Sequence, residues 1–209
     1  MPGPAHHASN TSCLDLERRA FIDLLRMANT MANPKDIARQ LVVVARHLTG
    51  CEAVGVRLKN GPGYPYAASL GFPGHFLFLE DDLCAKDEAG HLLRSTHRQP
   101  VLACLCGQVL SGQVDRLQTF FTDRGSFITA STTSLLTSHP EPGGLGRTRN
   151  RCHAAGYETV GLFPIRRDDV TYGLIQCNDS RPGRLTAESI DLMENLAVSA
   201  AHLFQLAMA

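Results

Sequence analysis

The sequence predicts an α+β fold, an α/β sandwich in which a central antiparallel sheet carries helices on one face. Three observations predict it: a hairpin-like segment near the start, a second near the end, and helical periodicity flanking both. Strands joined by tight turns pair antiparallel, and amphipathic helices then cover the sheet they flank.

Residues 1–13 read as a disordered tail, because Met1 to Ser12 is small, polar and without an apolar core. An N-terminal helix is expected over 14–33, where Leu16, Ala20, Phe21, Leu24, Leu25 and Met27 recur at helical spacing. Asn33-Pro34 breaks it. A second helix runs from Pro34 to Leu48 with Gly50 as its C-cap. Val54, Val56 and Leu58 then alternate as a strand, Asn60-Gly61-Pro62-Gly63 turns the chain, and Tyr64 to Leu70 returns. Thr159–Ile165 and Tyr172–Cys177 form the second hairpin around a turn at Arg166 to Asp169. A final helix starts near Thr186 and carries Ile190, Met193, Leu196, Ala200, Leu203 and Phe204 as one stripe. Between the hairpins, residues 71–156 form a long irregular insert, a length that usually signals function or hidden elements. Short strands are expected there near Val101 and Phe127, and a helical piece over Arg147 to Ala155.

Composition narrows the function classes. Of 209 residues, 44% are hydrophobic and 19% charged, enough for a sizeable core. Lys plus Arg and Asp plus Glu are 20 each, which argues against nucleic acid as a partner, since coating phosphates needs excess cations. No apolar run approaches membrane-spanning length, so no membrane association is expected and the cytoplasmic compartment follows. In that compartment seven cysteines point to metal or redox chemistry before disulfides. No phosphate loop, metalloprotease helix or nucleophile elbow is present, which argues against an enzyme.

The order helix, hairpin, insert, hairpin, terminal helix, and above all the run from Gly173 to Ala197, resembles GAF domains over about residues 34–208. Asn178 and Leu185 match the Asn and Phe of a motif found in cyclic-nucleotide-binding members. Asp179 stands where that motif has Lys, which weakens a carry-over of cyclic-nucleotide binding. The blocks Leu83–Asp87, Cys104–Gly107, Gly125–Thr132 and Thr148–Cys152 resemble a cysteine-containing subgroup. The resemblance implies about six antiparallel strands, a ligand cavity between sheet and insert, and a homodimer joined through terminal helices. It also implies an output module such as a histidine kinase. Residues 34–209 are accordingly expected to form one GAF-like sensor domain.

Three groups of residues are the candidates for chemistry. Cys84, Cys104, Cys106 and Cys152, spaced by 20, 2 and 46 positions, would suit zinc or an iron–sulfur cluster if they converge. Alternatively two of them form a redox pair, or all are small buried hydrophobes. Arg147, Arg149 and Arg151 can grip a carboxylate or phosphate and depress the pKa of Cys152. Ser126, Thr129, Ser131 and Thr132 can line a polar pocket, or Ser131 or Thr132 can cap a helix. The expected function is therefore a non-catalytic sensor that binds a small ligand or a Cys-ligated metal. A thiol-based enzyme such as a free methionine sulfoxide reductase, or a ligand-free dimerisation module, is the alternative.

Overall fold

The computed structural model describes residues 22, 26, 33–96, 98–139 and 148–207. The expected tail, most of the N-terminal helix and Arg147 lie outside the described residues; Ile22 and Arg26 are helical. Helix α1 spans Pro34–Thr49. Asn33 caps it, its Oδ1 accepting from the Lys35 and Asp36 N–H groups at 3.0 and 3.1 Å. Gly50, at φ 59°, ends it by donating to the Arg46 carbonyl.

Strands β1 (Ala53–Leu58) and β2 (Tyr66–Leu70) form the first hairpin. Strands β4 (Thr159–Arg167) and β5 (Val170–Asp179) form the second, and β3 (Phe127–Thr129) lies outside β4. The sheet order is β2-β1-β5-β4-β3, antiparallel throughout. Among the described residues five strands form where about six were expected. Near Val101 there are isolated bridges, such as Cys84 to Leu102, in place of the expected strand.

The insert is more helical than its sequence suggests. It contains α2 (Gly74–Glu80), α3 (Cys104–Ser111), α4 (Thr132–Ser138) and α5 (Arg151–Ala154). The helix expected over Arg147 to Ala155 is reduced to this last single turn. Helix α6, Ala187–Ala207, closes the chain.

Both faces of the sheet are covered, which explains strands with little hydrophobic alternation. Val54, Val56, Phe163, Ile165, Ile175 and Cys177 pack beneath α1 and α6. Ala53, Val160, Leu162 and Leu174 face the insert, with Phe72, Phe76, Phe127 and Tyr157. Gly71 joins β2 to the insert at φ 87°, where a Cβ would stand 1.9 Å from the Glu52 carbonyl oxygen.

Asp179 has a structural task at the end of β5. Its carboxylate accepts from Arg181 Nε and Nη2, both at 2.8 Å, and from the backbone N–H groups of Arg181 and Glu52. The Arg181 guanidinium, helped by those N–H groups, holds its pKa down at about 2. A depressed folded-state pKa adds stability above the ordinary carboxylate range and loses it as pH falls towards 2. Asp179→Asn is therefore expected to cost about 1–2 kcal/mol at pH 7, allowing for solvent screening around the exposed arginine. In urea melts the gap from wild type should close between pH 4 and pH 2.

Candidate thiol pocket

Helix α3 begins abnormally, and the abnormality builds the site. Cys104 adopts φ 67°, a left-handed conformation uncommon for a residue with a side chain. Positions two apart on a regular helix point to different sides. The left-handed turn swings the Cys104 thiol back to meet Cys106 at the N-terminus of the helix. Gly107 lets this helix press against the preceding strand-like ribbon, since a Cβ there would lie 2.6 Å from the Leu102 backbone.

The Cys106 thiol and the Arg149 and Leu105 backbone N–H groups surround the Cys104 sulfur and favour its thiolate. The Cys106 thiol contributes most. Together they overcome burial and the nearby Glu80 charge and hold Cys104 at about 6. The same pairing, with burial, pushes Cys106 far up. Cys152 is pushed up to about 12, first by burial and then by the Cys104 charge. The thiolate is thus favoured at Cys104 and disfavoured at Cys106 and Cys152.

A polar relay on the sheet supports the third cysteine. Gln176 Nε2 donates to Cys152 Sγ at 3.6 Å, and Gln176 Oε1 accepts from the Tyr66 hydroxyl at 2.8 Å. The Arg57 guanidinium stacks 3.7 Å above the Tyr66 ring. Gln176 Nε2 also donates to Asn178 Oδ1 at 3.2 Å. Asn178 Nδ2 is buried with no partner in good hydrogen-bond geometry, though it lies close enough to Cys152 to favour its thiolate.

Cys104, Cys106 and Cys152 line one cavity of about 50 Å³ together with Thr132, Phe127 and Leu162. That volume holds a few water-sized groups. Its wall joins the insert helices to the inner face of β4.

Of the two described arginines, Arg151 lines the cavity and Arg149 does not, and both are held by the chain itself. Arg149 Nη1 donates to the Asp82 carbonyl at 2.9 Å, and Arg151 Nη1 to Leu79 at 2.6 Å. Both pair with Glu80, each at 3.4 Å, and Glu80 is only 2% exposed. The carboxylate they grip belongs to the chain itself. This pairing pins residues 148–152 and so aims the Arg149 N–H at Cys104.

The hydroxyl run is also committed internally. Ser131 caps α4 by accepting from the Ser134 N–H at 3.1 Å and donates to Glu158. Thr129 donates to the Ser131 carbonyl, and Ser126 is buried with its N–H on Thr122. Only Thr132, which donates to the Tyr157 carbonyl and sits 3.1 Å from His153 Nδ1, faces the cavity.

The four cysteines do not all converge. Cys84 lies in a separate groove beside the Asn60–Gly63 turn, 3.6 Å from the Pro62 carbonyl. Among the described residues no group of three or more His, Cys, Asp or Glu side chains is placed to hold a metal ion. Arg57, Tyr66 and Gln176 were not anticipated as site residues, although Arg57 and Gln176 interrupt apolar strands and are readable in that way.

A model of the GAF domain family matches residues 33–203. The chain belongs to the GAF family. Its fold is similar to that of the GAF domain of an Acinetobacter phosphoenolpyruvate-protein phosphotransferase, at 13% identity, 96% coverage of both chains and a TM-score of 0.61. It is also similar to a free methionine-R-sulfoxide reductase from Neisseria meningitidis, at 14% identity, covering 98% of this chain and 97% of that one, TM-score 0.56. A third similar structure is a domain of a putative two-component sensor histidine kinase from Sinorhizobium meliloti, at 12% identity, 85% and 94% coverage, TM-score 0.54. No curated protein matches the chain by sequence. In this GAF domain the thiol cavity lies between sheet and insert, on the face opposite α1 and α6.

Proposed function

We propose that this GAF domain is a non-catalytic sensory module whose thiol pocket reads a small ligand or small thiol-reactive species. The observation that carries this reading is the shared wall of the pocket. Val160 and Leu162 line the cavity, while Phe163 and Ile165 of the same strand pack beneath α6. A displacement of β4 by pocket occupancy reaches the terminal helix through one layer of side chains, and packed cores shift between discrete arrangements. The signal leaves through α6 in a homodimer, to an output module such as a histidine kinase, in the cytoplasm. Among the described residues no helix is long and apolar enough to cross a membrane.

The test is amide hydrogen exchange before and after S-methylthiolation of Cys104 with methyl methanethiosulfonate. The expected result is altered protection across residues 187–207, several-fold in exchange rate, with Cys104→Ser insensitive to the reagent. Unchanged protection in α6 despite complete modification of Cys104 would count decisively against this coupling.

One specific observation favours a second reading, an enzyme: three clustered thiols in a fold shared with a free methionine-R-sulfoxide reductase. Turnover of free methionine-R-sulfoxide with dithiothreitol, lost in Cys106→Ser, would establish it. Absence of turnover by protein with fully titratable thiols would remove it.

A further inference from the structure

The thiol pocket contains every group needed for one defined oxidation. We propose that Cys104 is a hydroperoxide-reactive cysteine and that Cys106 is its resolving partner, the two closing a Cys104–Cys106 disulfide. The inference rests on the sensory reading above and names the chemistry that the pocket reads.

Several features support it. Cys104 sits at the start of α3, where the Arg149 and Leu105 N–H groups favour negative charge on its sulfur. A second thiol, Cys106, stands two positions on in the same helix and lines the same cavity. The cavity beside them, about 50 Å³, admits a molecule of a few heavy atoms and excludes a bulky one. The left-handed backbone at Cys104 is strained, a condition found where a reactive group is held ready.

In the first step the Cys104 thiolate attacks the terminal peroxide oxygen. An S–O bond forms, the O–O bond breaks, sulfur is oxidised by two electrons and the peroxide leaves as alkoxide or hydroxide. That leaving group takes a proton, giving alcohol or water. In the second step Cys106, losing its proton, attacks the Cys104 sulfenic sulfur. An S–S bond forms, the S–O bond breaks, and hydroxide departs as water with the released proton. The sum is two thiols and one hydroperoxide to one disulfide, one alcohol or water, and one water.

Cys84 provides an internal comparison. It lies in the separate groove, where burial first and then the Asp82 charge disfavour a thiolate. Cys152 is the competing resolver, because its sulfur faces the same cavity. Cys106 is preferred because it shares the start of α3 with Cys104, two positions away, and its thiol is the foremost influence on that sulfur.

The experiment treats the full wild-type chain anaerobically with hydrogen peroxide, then blocks remaining thiols and maps peptides by mass. The expected result is a Cys104–Cys106 disulfide, with Cys104 consumed at least about threefold faster than Cys84 at pH 7. In Cys106→Ser, which keeps a hydroxyl beside Cys104 but cannot close the disulfide, dimedone should trap a sulfenic acid at Cys104. A Cys104–Cys152 disulfide, or consumption of Cys104 no faster than Cys84, would overturn the proposal. If the disulfide forms but exchange in α6 is unchanged, the chemistry stands and the sensory reading fails. If the thiols stay reduced, this proposal fails and the sensory reading passes to a non-covalent ligand.

Discussion

Arg57→Ala is expected to destabilise the domain by about 4 kcal/mol or more, the largest single loss among its polar side chains. Arg57 is completely buried in β1. Its Nη1 donates to the Tyr64 and Asp81 carbonyls at 3.0 and 3.3 Å, and Nη2 donates to Glu80 at 2.7 Å. Alanine would leave three acceptors facing a cavity, each costing on the order of 1–3 kcal/mol if it stays dry. It would also remove the cation from the Tyr66 ring. For a domain of this size the melting temperature should fall by roughly 10 °C. Because Arg57 fastens the end of α2 to the sheet, and Glu80 at that end holds Arg149 and Arg151, the loosening should extend to the thiol pocket. Urea unfolding of the variant checks the magnitude, and a loss under about 1 kcal/mol would show that water enters and satisfies the carbonyls.

The second large effect is on reactivity. Cys106→Ala removes the foremost donor to the Cys104 sulfur, leaving the Arg149 and Leu105 N–H groups against burial. The pH midpoint for alkylation of Cys104 should therefore move upward by more than one pH unit from about 6. At pH 7 that converts Cys104 from mostly thiolate to mostly thiol. Cys106→Ser retains a hydroxyl donor and should leave the midpoint close to wild type. A midpoint unchanged in Cys106→Ala would transfer the effect to the backbone donors.

The hairpins, α1 and α6 were legible because their periodicities are long enough to stand out. Asn33, Pro34 and Gly50 announced the ends of α1, and Ser131 announced the start of α4. The insert was not legible in the same way. Helices α2 and α4 are 7 residues each, too short for a periodic signal. The placement of α2 comes from ring packing of Phe72 and Phe76 on Tyr157, contacts between residues distant in sequence.

The candidate site was half legible. Cys104, Cys106 and Cys152 do meet, yet Cys84 does not, and only the path of the ribbon between α2 and α3 determines that. The arginines were read as ligand grips because guanidinium pairs suit anions. Nothing local in the sequence shows that Glu80, some seventy positions earlier, supplies the anion. Gln176 was visible as a polar residue in an apolar strand, and it marks the sheet face that the cavity overlies.

The most direct measurement is the pH dependence of iodoacetamide labelling of the native chain, resolved cysteine by cysteine by mass spectrometry. The account predicts that Cys104 labels with a midpoint near 6, while Cys84, Cys106 and Cys152 remain unreactive until much higher pH. A Cys104 midpoint near the ordinary thiol value, or the lowest midpoint at another of these cysteines, would contradict it.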